Sequence, residues 1–87
     1  MKHASPAALE SLTPLLEQLR AVEFLVEKRP GVFYRKSRAF LHFHEDPEGF
    51  FADLRVSGDD FVRYPVTTTS QQRTLLKLIR NAAAQSS

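Results

Sequence analysis

The stretch Val32-Phe-Tyr-Arg-Lys-Ser-Arg-Ala-Phe-Leu-His-Phe-His-Glu-Asp-Pro-Glu-Gly-Phe-Phe-Ala-Asp-Leu-Arg-Val56 decides the fold. Its side chains alternate with a period of two, the spacing of a strand with two different faces. The breaks are short and carry turn chemistry: Lys36-Ser37, then Asp46-Pro47-Glu48-Gly49 with proline second and glycine last. Continuing to Val66 across Ser57-Gly58-Asp59-Asp60 gives four strand candidates, 32–35, 38–45, 50–56 and 61–66. Short breaks join antiparallel neighbours, so these strands form a meander.

Outward from the meander the period lengthens to that of a helix. Upstream, Ser5-Pro6 reads as a cap followed by proline, and Leu9, Leu12, Leu16 and Leu19 recur at spacings of three and four. Thr13-Pro14 repeats the cap-plus-proline signal, which starts or kinks the helix there. Leu25 to Lys28 reads equally as the helix end or as an added edge strand, and Pro30-Gly31 ends either. Downstream, Thr69 with Gln72 fits a capping box before the stripe Leu75, Leu78, Ile79 and Ala82. The expectation is one α+β domain over 1–87, ordered helix, four-stranded antiparallel meander, helix, with both helices on one sheet face and frayed ends at 1–5 and 83–87.

Composition narrows the function classes. The 87 residues suit one domain, and the formal charge of +2 is low for a bulk polyanion binder. Cysteine is absent, which excludes disulfides, thiolate metal sites and thiol nucleophiles. No apolar run is long enough for a membrane span, and no secretory core precedes the first helix, so a cytoplasmic protein is the default expectation.

Turn length sets the register of each hairpin. Lys36-Ser37 pairs Arg35 with Arg38, Phe33 with Phe40 and Val32 with Leu41. Asp46–Gly49 pairs Glu45 with Phe50, His44 with Phe51 and His42 with Asp53. A three-residue loop at 58–60 pairs Leu54 with Tyr64 and Arg55 with Arg63. One face then carries Val32, Tyr34, Ala39, Leu41, Phe43, Ala52, Leu54, Val56, Val62, Tyr64 and Val66, a core for the helices. The other carries Phe33, Arg35, Arg38, Phe40, His42, His44, Phe51, Asp53, Arg55, Phe61, Arg63 and Pro65. A solvated sheet face should be mainly polar; four phenylalanines there imply a cover.

Three covers compete. A second copy packed face to face, giving a homodimer, ranks first. A nucleic acid stacked on the rings, with Arg35, Arg38, Arg55 and Arg63 on phosphate, ranks second. The third is a metal or small ligand at His42, His44 and Asp53, since His42-Phe43-His44 puts two imidazoles on one face and Asp53 lies across the strand. The serines stand at caps and turns, the three glycines form no phosphate loop, and the acidic tip Glu45, Asp46 and Glu48 is a solvated turn. No motif fixes a reaction or calls for a cofactor. The expected role is a non-enzymatic interaction or assembly domain.

The stretch from Arg29 to Pro47 resembles small bacterial conserved domains of unknown function. The arrangement also resembles, at the level of architecture, YjbR/MmcQ-type domains, with Ser37-Arg38-Ala39-Phe40-Leu41 in the place of their "gk.F" hairpin. That family's C-terminal part is longer. The likeness implies the DNA contacts suggested for that family and carries no functional residue over.

Overall fold

A computed structural model describes residues 2–85. The order is β1 (Lys2–His3), α1 (Pro6–Ser11), α2 (Thr13–Arg20), β2 (Val26–Arg29), β3 (Val32–Arg35), β4 (Arg38–Asp46), β5 (Gly49–Leu54), β6 (Val62–Pro65) and α3 (Thr69–Gln85). All strands pair antiparallel in one six-stranded sheet, ordered β2-β3-β4-β5-β6, with β1 added to β4. The class is α+β. The expected four-strand meander lies at its centre, flanked by two strands more, with three helices rather than two.

The additions have local causes. The Thr13-Pro14 signal divides the first helix. Proline fits the first turn of a helix but not its interior, so α1 stops and α2 restarts with Pro14 near its N-terminus. Ser5 caps α1, its Oγ accepting from the Ala8 N–H at 3.2 Å, while its own N–H donates to Glu45 Oε1 at 2.7 Å. That cap ties the N-terminal segment to β4 and lets Lys2 and His3 pair with Glu45 and His44. Residues 2–3 thus form a short strand, and Ser5 caps the helix start. The ambiguous segment before Pro30 is the edge strand β2, Val26–Arg29. Glu27 fastens it: its carboxylate accepts from Arg20 at 2.6 and 3.1 Å and from the Gly31 N–H at 2.9 Å. The cap of α3 falls one residue earlier than expected, at Thr68 and Gln71: Thr68 Oγ1 accepts from the Gln71 N–H, and Gln71 Oε1 accepts from the N–H groups of Thr67 and Thr68. The helix spans Thr69–Gln85, and part of the expected frayed end, Ser86 and Ser87, lies outside the described residues.

Leu15, Leu16 and Leu19 of α2 and Leu75, Leu76 and Ile79 of α3 share one buried cluster with Leu41, Phe43, Ala52 and Leu54. Both longer helices therefore cover one sheet face, as expected. That face differs from the expected one along β3. The hairpin does pair Arg35 with Arg38, but a bulge at Phe40 then sets Phe33 opposite Leu41 and Val32 opposite His42. The extra residue inverts the parity of β3. Phe33 and Phe40 turn inward, 1% and 4% exposed, so the structure removes them from the expected outer face. Val32, Tyr34 and Ala39 leave the expected core face. The loop between β5 and β6 is longer than three residues, pairing Leu54 with Val62 and Asp53 with Arg63. A slip of two residues preserves the face, yet it carries Val56 and Val62 to the sheet end, where both are exposed.

A candidate metal centre on the outer sheet face

Antiparallel pairing carries the site's side chains to one surface, because direct cross-strand partners point the same way. His42 and His44 share that surface by the period of β4. Register adds His3 opposite His44, Asp53 opposite His42 and Arg63 opposite Asp53. All three histidines of the chain meet here, their ligand atoms within 4.8 Å of one another. The His3 ring stacks on His44 with centroids 4.8 Å apart, and His42 meets His44 edge-on at 4.9 Å.

The polar atoms converge more tightly than the rings. His42 Nδ1 lies 3.0 Å from His44 Nε2, which lies 3.1 Å from Asp53 Oδ2. His44 Nε2 therefore lies within hydrogen-bond distance of two atoms that can accept, His42 Nδ1 and Asp53 Oδ2. Donors about 2.0–2.1 Å from a tetrahedral zinc ion lie about 3.3 Å from each other, close to the His42–His44 and His44–Asp53 separations of 3.0 and 3.1 Å.

The surroundings act on two members of this cluster, His42 and Asp53. Burial pushes His42 below its ordinary pKa, although Asp53 pulls the other way, and this favours the neutral imidazole that binds metal. Burial also opposes ionisation of Asp53. A fork of hydrogen bonds from Arg63, Nε to Oδ1 at 2.8 Å and a terminal NH2 to Oδ2 at 3.0 Å, outweighs it with the fields of His44 and Arg63, keeping the carboxyl below its usual range. Arg63 also fixes the carboxylate plane, the part an outer partner plays for a ligating carboxylate. Phe61 packs on His42 at 4.8 Å between centroids, and Arg55 lies over the Phe61 ring at 4.7 Å. Beside the histidines runs an open groove of about 540 Å³, lined by His3, His42, Val32, Tyr34 and Arg29.

Of the expected site residues, the structure thus brings together His42, His44, Asp53, Arg55, Phe61 and Arg63. Phe51 joins them half-buried, opposite His44. Arg35 and Arg38 stand apart at the hairpin tip, and Phe33 and Phe40 belong to the core. Sequence reasoning missed His3 and placed Arg63 opposite Arg55 instead of Asp53. A two-residue strand has no periodicity to read; the available signal was a third histidine just ahead of the Ser5 cap.

Comparison with protein-family models, with curated proteins and with solved structures gives no match. The reading of this site rests on its own geometry.

Proposed function

We propose that this domain binds one divalent transition-metal ion, of the zinc type, through His3, His42 and His44, with Asp53 as the fourth donor. The observation that carries the reading is the convergence of three imidazoles, their ligand atoms within 4.8 Å of one another, with the Asp53 carboxylate 3.1 Å from His44 Nε2. Imidazole donors suit zinc, copper and nickel, whereas calcium and magnesium prefer oxygen. A set of four protein donors closes the coordination sphere, the pattern of sites that hold a metal rather than activate a water. Such an ion links β1 to β4 and β5, so its binding energy contributes to fixing the N-terminal segment. The groove lined by His3 and His42 supplies a path for entry.

The test is isothermal titration of the metal-free chain with Zn2+, beside a variant carrying His3→Ala, His42→Ala and His44→Ala. The reading requires one ion per chain for the first and none for the second. Equal binding by both rejects it.

Self-association of the outer face is the second reading. Phe51 and Phe61 keep half-buried rings there, beside Arg55 and Arg63. Solution mass over a range of concentrations decides it: a concentration-dependent dimer abolished by Phe51→Ser supports it, and a persistent monomer rejects it.

A further inference from the structure

β1 and β3 lie end to end along one edge of β4. Val32 pairs with His42, His3 pairs with His44, and between them the Ala4 N–H donates to the Phe43 carbonyl at 3.1 Å. Neither segment runs straight through this junction. After Ala4 the chain turns into α1 at the Ser5 cap, and before Val32 it arrives through Gly31, at φ +75°. The groove of about 540 Å³ opens where these two segments turn away from each other. Its volume falls within the roughly 300–1,000 Å³ of pockets that take small molecules.

One wall of the groove is apolar. Leu9 packs so closely on Gly31 that a Cβ there would meet Leu9 Cδ2 at 2.6 Å. Leu9 and Val32 stay half-buried beside the buried Phe43 ring, so carbon surface remains open to an occupant. The polar groups converge from β2 and β3. Arg29 is exposed, and among the described residues its guanidinium has no hydrogen bond or ion pair. The nearest acid in sequence, Glu27, is engaged by Arg20 and the Gly31 N–H. The Tyr34 hydroxyl likewise has no hydrogen-bond partner among the described residues. Lys28 adds to the positive field, its Nζ 5.9 Å from the centre of the Tyr34 ring, and no residue lining the groove is acidic.

We propose that this groove binds a small monocarboxylate with an apolar body. A guanidinium presents paired N–H donors whose geometry matches a carboxylate, and such a charge-assisted pair is stronger than a neutral hydrogen bond. One guanidinium lines the groove, so one anionic group is answered there, with the Tyr34 hydroxyl as a further donor, while the rest of the ligand meets carbon. The groove shares His3 and His42 with the metal reading but does not rest on it, because the groups that hold the carboxylate are Arg29 and Tyr34.

The test is a titration of the metal-free, 15N-labelled chain, followed by NMR at constant ionic strength, with benzoate, hexanoate, benzyl alcohol and acetate. Benzoate and hexanoate should give saturable shifts at residues 3–9, 29–34 and 39–43, and the tighter of the two tells whether the site prefers a flat or a flexible body. Benzyl alcohol keeps a ring without the charge, and acetate keeps the charge without a body. Each should bind at least about tenfold more weakly than the tighter carboxylate. Arg29→Gln should weaken that carboxylate about tenfold and leave benzyl alcohol unchanged. Arg29 is exposed and outside the histidine cluster, so this variant should keep its fold and its zinc stoichiometry, and failure here is distinct from failure of the metal reading. No saturable shift with either carboxylate, equal affinity for benzyl alcohol or for acetate, or unchanged carboxylate affinity in Arg29→Gln each overturns the proposal.

Discussion

Replacing His3 with alanine separates metal binding from fold stability. His3 is exposed and lies on a two-residue strand, so its loss removes no core contact. The metal-free variant should therefore unfold within about 0.5 kcal/mol of the parent. Zinc at about 100 times its Kd adds about 2.7 kcal/mol to a protein that binds it only when folded. In a domain of this length each kcal/mol moves Tm by roughly 4–8 °C, so the parent should gain about 11–22 °C. Losing one of four donors should weaken affinity about a hundredfold, the upper end of the 10–100-fold that loss of an outer partner costs. The same zinc concentration is then about one Kd for the variant. It contributes about 0.4 kcal/mol, a shift of roughly 2–3 °C. Thermal unfolding by circular dichroism, with and without zinc and with a chelator, reads both quantities. An equal zinc shift in parent and variant would refute the reasoning, since His3 would then hold nothing.

Three further outcomes follow from the packing and the charges. Phe33→Ala should cost about 3–5 kcal/mol in chemical denaturation, because the bulge buries the ring; a near-neutral result would return Phe33 to the surface. Gly31→Ala should destabilise by about 1–3 kcal/mol, since φ is +75° and the new Cβ would meet Leu9 Cδ2 at 2.6 Å; unchanged stability would mean that the β2–β3 turn is loose. Glu27 is held below its ordinary pKa first by its hydrogen bonds from Arg20, with the Gly31 N–H assisting. A depressed carboxyl stabilises above its unfolded pKa and loses that contribution as pH falls through the folded value. Denaturant midpoints measured downward from pH 5 should therefore fall less for Glu27→Gln than for the parent, and parallel curves would dismiss the latch.

What the sequence disclosed follows from where local chemistry settles register. The Asp46–Gly49 turn leaves little freedom, and the pairs His42–Asp53, His44–Phe51 and Glu45–Phe50 stand as expected. The heart of the candidate site was therefore legible. The Lys36-Ser37 turn also placed Arg35 against Arg38, but a bulge three residues beyond the turn depends on how Phe40 packs with Phe24 and the helices, which is tertiary information. That one insertion moved Phe33 and Phe40 into the core and opened the groove beside Val32 and Tyr34. Arg63 was misplaced because the loop after β5 gives no fixed length, though the error of two residues kept its face. His3 joins through β1, which exists because Glu45 holds the Ser5 cap and β4 offers a free edge beyond β3. Nothing local predicts such a strand.

The most direct measurement is native mass spectrometry of the metal-free chain after addition of one equivalent of Zn2+. The account predicts a species carrying one zinc ion per chain that disappears when His42 and His44 are both replaced by alanine. A chain that stays metal-free, or a variant that keeps the ion, would contradict it.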